Sequence, residues 1–125
     1  MENKLFIMVI DDEEIVGKRL KPALEKNGDV VEIFDNSEKA LERLKQQSFN
    51  IVITDIRMEG IDGLEVLEFV TENSPKTKVI MITGYATVEV AREAMAKGAF
   101  DFIAKPFKPN DLRAIIKKAS DQLIP

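Results

Sequence analysis

Carboxylates gather at two points where apolar runs of this sequence stop: Asp11-Asp12-Glu13-Glu14 follows Leu5 to Ile10, and Asp55 follows Ile51 to Thr54. An acid at the end of a buried strand carries a charge that needs a partner. Two further runs deliver polar groups in the same way, Thr83 closing Val79 to Thr83 and Lys105-Pro106 coming just after Phe100 to Ile103. Each group has an ordinary reading in isolation. Acids near a helix N-terminus stabilise its dipole by ~0.3–1 kcal/mol, threonines often end strands, and a lysine before a proline is often a solvated loop residue. Taken together, the four sites supply what phosphoryl transfer needs: an oxygen nucleophile, ligands for a metal, and donors for the equatorial oxygens.

If the first and third runs are neighbouring strands, three carboxylates converge, and their repulsion either raises their pKa values or demands a cation. Oxygen ligands without His or Cys select a hard ion, Mg²⁺, Mn²⁺ or Ca²⁺. A site that keeps positions open for water and a phosphoryl oxygen favours Mg²⁺, with Mn²⁺ as the alternative.

Composition narrows the remaining chemistry. The sequence contains no cysteine and no histidine, so disulfides, thiolate nucleophiles, imidazole bases and Ser-His-Asp arrangements are all excluded. With 18 basic and 22 acidic residues the net charge is −4, which argues against direct nucleic-acid binding or attraction to an anionic membrane. No apolar run approaches the ~20 residues of a membrane span. A soluble, cytoplasmic protein is expected. Its 125 residues suit one domain, 1–125, with Asp121 to Pro125 reading as the start of a linker.

The elements that must position these groups follow from periodicity. Five short apolar runs imply strands: Leu5 to Ile10, Val30 to Phe34, Ile51 to Thr54, Val79 to Thr83 and Phe100 to Ile103. Leu5 to Ile10 does not alternate, as expected of a central parallel strand, whereas Glu32 marks Val30 to Phe34 as an edge. Helical stripes lie between and after them: Val16, Leu20, Ala23 and Leu24; Ala40, Leu41 and Leu44; Leu64, Leu67 and Val70; Ala91, Ala94 and Met95; and Leu112, Ile115, Ile116, Ala119 and Leu123. Asn36 or Ser37 is expected to cap the second helix, Gly28 and Gly98 to end the first and fourth, and Pro109 to open the fifth. The order is (βα)₅, a doubly wound α/β fold whose ligands bind at the carboxyl ends of the strands.

The sequence resembles the receiver domains of two-component response regulators. The resemblance is carried by Val9-Ile10-Asp11-Asp12-Glu13, Ile53-Thr54-Asp55-Ile56-Arg57-Met58, Asp62-Gly63-Leu64, Ile82-Thr83-Gly84 and Lys105-Pro106-Phe107, and it spans essentially the whole chain. It implies a flavodoxin-like five-stranded parallel sheet in the order 2-1-3-4-5. It also implies that Asp55 accepts a phosphoryl group from a sensor histidine kinase, a histidine phosphotransfer protein or a small acyl phosphate. Mg²⁺ would be held by Asp12, Asp55 and the Arg57 backbone carbonyl, with Asp11 acting mainly through a metal-bound water. Lys105, after which a cis Pro106 is expected, and Thr83 would contact the phosphoryl oxygens.

The same resemblance makes Thr83 and Phe102 the switch pair, and makes the fourth helix, fifth strand and fifth helix an output face or homodimer face. Arg92, Asp101, Arg113 and Lys117 are expected on that face. Arg57 and Tyr85, each two residues beyond a site residue, are expected to tune the phosphorylated lifetime. Glu59 departs from the family, standing where many members have Pro. The protein would be a switch with self-catalysed phosphotransfer and slow autodephosphorylation and not an enzyme, fused to a C-terminal transcriptional effector in preference to standing alone.

Three rival readings share part of this pattern. A flavodoxin-like electron carrier needs a Ser/Thr/Gly-rich phosphate loop where this chain has four acids. An aspartate-nucleophile phosphatase places Asp-x-Asp after its first strand, and here the pair is Asp11-Asp12. A pseudo-receiver, binding partners without phosphorylation, is opposed by the complete set of site residues.

Overall fold

The computed structural model describes residues 4–57, 62–84 and 88–123. Strands and helices alternate as β1 (Phe6–Ile10), α1 (Glu14–Glu25), β2 (Val30–Phe34), α2 (Ser37–Gln46), β3 (Ile51–Asp55), α3 (Gly63–Asn73), β4 (Lys78–Thr83), α4 (Val88–Ala96), β5 (Asp101–Ala104) and α5 (Pro109–Leu123). The strands form one parallel sheet in the order β2-β1-β3-β4-β5, the order the resemblance implied.

Both faces of the sheet are covered, which explains the unbroken apolar runs. Ile7, Val9, Ile51, Ile53, Ile80 and Ile82 pack with Leu20 and Leu24 of α1 and with Leu112, Ile116 and Ala119 of α5. The alternate residues Met8, Ile10, Val52 and Met81 pack with Ala40 of α2, Val66, Leu67 and Val70 of α3, and Ala94 of α4. β2 lies at one edge, and there Glu32 is satisfied by Arg43 of α2, which donates from Nε at 2.8 Å and from Nη2 at 2.9 Å.

Local signals set the helix ends. Asn36 caps α2 by accepting from the Lys39 N–H, Asp62 caps α3 by accepting from the Glu65 N–H, and Pro109 is the first residue of α5. Gly28 and Gly98 adopt φ values of 87° and 103° just beyond α1 and α4, a region that costs glycine little.

Two expectations need correction. Met95 is 47% exposed, so α4 buries only Ala94 of the stripe assigned to it. Arg113 and Lys117 do not belong to a surface shared with α4 and β5: they line a cleft of about 680 Å³ with Leu24 and Asn27 from the α1 side. Leu112 and Ile116 face the sheet, and the next helical position, about 100° round, turns towards α1.

Candidate functional site

Parallel register brings the acids together. Ile10 pairs with Thr54, so the residues that follow them, Asp11 and Asp55, leave adjacent strands side by side. Carboxylate oxygens of Asp11, Asp12 and Asp55 lie within 4.8 Å of one another, with Asp11 and Asp55 buried and Asp12 exposed. One ammonium serves this cluster. Lys105 Nζ donates to Asp55 Oδ2 at 2.8 Å and to Glu13 Oε1 at 2.8 Å, and it lies 2.8 Å from Asp11 Oδ2.

The contact with Asp11 is an ion pair without hydrogen-bond alignment, so the buried Asp11 Oδ2 has charge compensation but no directed donor. Asp11 Oδ1 accepts from the Glu13 N–H at 2.9 Å, and Asp55 Oδ1 accepts from the Arg57 N–H at 3.1 Å. Burial raises the Asp11 pKa above 3.8 despite Lys105 and the Glu13 N–H, which act the other way. Burial pulls Lys105 down, but its contacts with Asp11, Asp55 and Glu13 outweigh this and raise its pKa well above the ordinary value. Lys105 therefore stays charged, and its hydrogen bond holds Glu13 below 4.5.

The loop carrying Lys105 is fixed by its own N–H, which donates to the Thr83 carbonyl at 2.8 Å, and the Lys105–Pro106 peptide is cis. Thr83 is buried at the end of β4, next to Ile82, which pairs with Asp55. Phe102 is half-buried, packed on the α4 side of the sheet. The sequence-selected Asp11, Asp12, Asp55 and Lys105 thus meet in one cluster, with the exposed Arg57 adjoining through its N–H. Tyr85 and Glu59 lie outside the described residues.

Two contributors were not singled out from the sequence. Glu13 is a third acid on Lys105, and Gly63 packs directly against the backbone of Asp55. For Glu13 a signal existed, because a glutamate is an unusual N-cap residue. For Gly63 the Asp62-Gly63-Leu64 motif marked the place but not the contact.

A carboxylate cluster at the carboxyl edge of a 2-1-3-4-5 sheet has clear counterparts. Residues 7–117 match the response regulator receiver domain. The chain belongs to this family. It is 37% identical over 125 residues to the transcriptional regulatory protein FixJ of Bradyrhizobium diazoefficiens, covering 100% of this chain and 61% of that protein. A CheY-like receiver domain from Methanospirillum hungatei superposes with a TM-score of 0.92 at 32% identity, covering 97% of each chain. A beryllofluoride-activated NtrC4 receiver domain dimer gives 0.89 at 33% identity, covering 94% of this chain and 98% of that one. The receiver spans only 26% and 24% of two other curated relatives, so those proteins carry a good deal more chain than the part matched here. No helix among the described residues is long and apolar enough to cross a membrane.

Proposed function

We propose that residues 1–125 form one receiver domain in which Asp55 takes a phosphoryl group, switching the α4-β5-α5 face to control an output. The observation that carries this reading is the convergence of Lys105 with the buried Asp55 and Asp11 at the ends of separate strands. The donor is a phosphohistidine on a sensor histidine kinase or histidine phosphotransfer protein, or a small acyl phosphate, because this chain has no histidine of its own.

A carboxylate oxygen of Asp55 forms the new P–O bond as the P–N bond of phosphohistidine breaks. The departing electron pair stays on the imidazole nitrogen, which is protonated from solvent. Lys105, already against Asp55, neutralises charge that moves onto the phosphoryl oxygens. Thr83 then offers its hydroxyl to one of them. The group is lost again by slow hydrolysis, whose rate Arg57 and Tyr85 tune by shielding, so that Arg57→Ala should change the lifetime. The protein acts as a switch and not as a turnover enzyme.

The donors present fit Mg²⁺, or Mn²⁺ in its place: every one is oxygen, and Asp11 Oδ2 is buried without a directed hydrogen bond. Asp12, Asp55 and the Arg57 carbonyl would hold the ion directly and Asp11 mainly through a water. The ion would supply charge neutralisation for the transferring group. The name of the FixJ relative supports a transcriptional output, for which we place an effector C-terminal to the receiver in a cytoplasmic protein, and the activated NtrC4 receiver dimer supports a homodimer of the switched form.

Mass spectrometry after incubation with acetyl phosphate and Mg²⁺ tests this. One added phosphoryl group is expected on the parent and none on Asp55→Asn or after chelation. Equal labelling of Asp55→Asn would refute the acceptor, and no labelling of the parent by any donor would leave a partner-binding module that phosphorylation does not control.

A further inference from the structure

Lys105 has three acid neighbours, and the proposed phosphoryl chemistry accounts for Asp11 and Asp55 but not for Glu13. Glu13 occupies the N-cap position of α1, with φ −82° and ψ 97°, yet its side chain makes no cap hydrogen bond. Short acceptors are favoured at that position because they can turn back to the first N–H groups of the helix. The longer Glu13 side chain reaches away, placing Oε1 2.8 Å from Lys105 Nζ across 92 residues of sequence. The three acids are graded by depth. Their side chains are 0% exposed for Asp11, 8% for Asp55 and 62% for Glu13, so the ammonium is held from the floor and from the rim at once.

We infer that Glu13 is a positioning residue that parks the Lys105 ammonium at the rim and competes with an arriving phosphoryl oxygen for it. The inference rests on Asp55 being the acceptor. An ammonium has three N–H donors, and here three carboxylates already stand around it. Two of its N–H groups are given to Asp55 and Glu13 and the ammonium also lies 2.8 Å from Asp11, so an arriving phosphoryl oxygen competes with these acids for it. Asp11 is buried and anchored by the Glu13 N–H, and Asp55 is the residue being modified. Glu13, exposed and joined to the cluster through a single oxygen, is the partner that yields. Its hold on Lys105 therefore sets how readily the site accepts and keeps a phosphoryl group.

The test compares the parent, Glu13→Ala, Lys105→Met and the double variant for binding of beryllofluoride with Mg²⁺, followed by NMR. Glu13→Ala should bind the mimic about 3- to 10-fold more tightly than the parent, as expected when a charge-assisted hydrogen bond no longer competes. In the Lys105→Met background the same substitution should change little, because parking needs the ammonium. An equal gain in both backgrounds would mean that Glu13 acts only by repelling anions, and no gain in the parent background would remove the role altogether. The Lys105 ammonium ¹⁵N signal of the mimic-free protein supplies a second readout: it should move in Glu13→Ala while the thermal midpoint stays near that of the parent, and an unmoved signal overturns the inference. Failure of the acceptor reading looks different, since Asp55→Asn would then bind the mimic as the parent does.

Discussion

A side-chain carbon on Gly63 would overlap the carbonyl oxygen of Asp55 and come within 2.8 Å of the Cα of Ile56. The first residue of α3 thus rests on the backbone that carries the candidate acceptor, and the Gly63 N–H donates to the Ile56 carbonyl at 2.8 Å. Because both obstacles are main chain, no rotamer change relieves the crowding, and Gly63→Ala is expected to destabilise the fold by about 1–3 kcal/mol. Urea denaturation reads the loss, and acetyl phosphate labelling of Asp55 should slow with it. An unchanged midpoint would show that α3 can withdraw without cost.

Asp11 predicts the opposite sign. Its carboxylate is buried among other acids, and burial raises its pKa above 3.8. The folded state therefore binds more protons than the unfolded state between 3.8 and that raised value. The destabilisation it causes is fully present above this window and eases as pH falls through it. In chelator at neutral pH, Asp11→Asn should gain ~0.5–2 kcal/mol in urea denaturation, the usual exchange of stability against function. Affinity for Mg²⁺ should fall in the same variant. A loss of stability instead would mean that the Lys105 contact outweighs the cost of burial.

The strands and the polar residues Asp11, Asp12, Asp55 and Lys105 beyond their ends were legible from a local signal, an apolar run followed at its end by a polar residue, while the strand order that sets β1 beside β3 came from the family resemblance. Register then did the rest: once Ile10 pairs with Thr54, the acids must meet. Contacts that depend on side-chain reach were not legible. Glu13 reads as a helix-start acid until Lys105 arrives from the other end of the chain, and the overlap at Gly63 depends on how closely α3 approaches β3. The fifth helix shows the limit of periodicity as well. Leu112, Ile116 and Ala119 identify its core face correctly, but which neighbour Arg113 and Lys117 turn towards is set by the position of α1.

At the β2 edge, the Arg43 guanidinium holds the Glu32 carboxyl below its ordinary 4.5 by hydrogen bonding, against the opposing effect of burial. A lowered carboxylate contributes stability that is present above the unfolded value and lost as pH falls through the folded one. Glu32→Gln should therefore be less stable than the parent at neutral pH, with the two converging as pH falls from 4.5 through the lowered folded value. Thermal melts across pH decide it. A gap that persists at low pH would assign the difference to shape and not to charge.

Thr83 and Phe102 share one face of the sheet as diagonal neighbours, since Thr83 pairs with Ala104 and Met81 pairs with Phe102 across β4 and β5. Diagonal positions of this kind are ~7–8 Å apart, within reach of an aromatic ring. A phosphoryl group on Asp55 would add about −1.5 to −2 charge units and strong acceptor oxygens, an acceptor for the Thr83 hydroxyl that only that state provides. Such a contact shifts a population because it differs between the two states. The element beside the pair is suited to respond: α4 buries only Ala94, and Val88 at one of its ends is 67% exposed. Few buried contacts mean a low local cost of rearrangement. Movement of Thr83 towards Asp55 would open space that the Phe102 ring fills, changing the surface of α4 and β5 near Arg92 and Asp101. Beryllofluoride with Mg²⁺ should perturb NMR shifts across residues 88–118 in the parent. In Thr83→Ala the mimic should still bind, as read at Asp12 and Lys105, while the shifts at 88–118 largely vanish. If they persist at full size in Thr83→Ala, the signal leaves the site by another route.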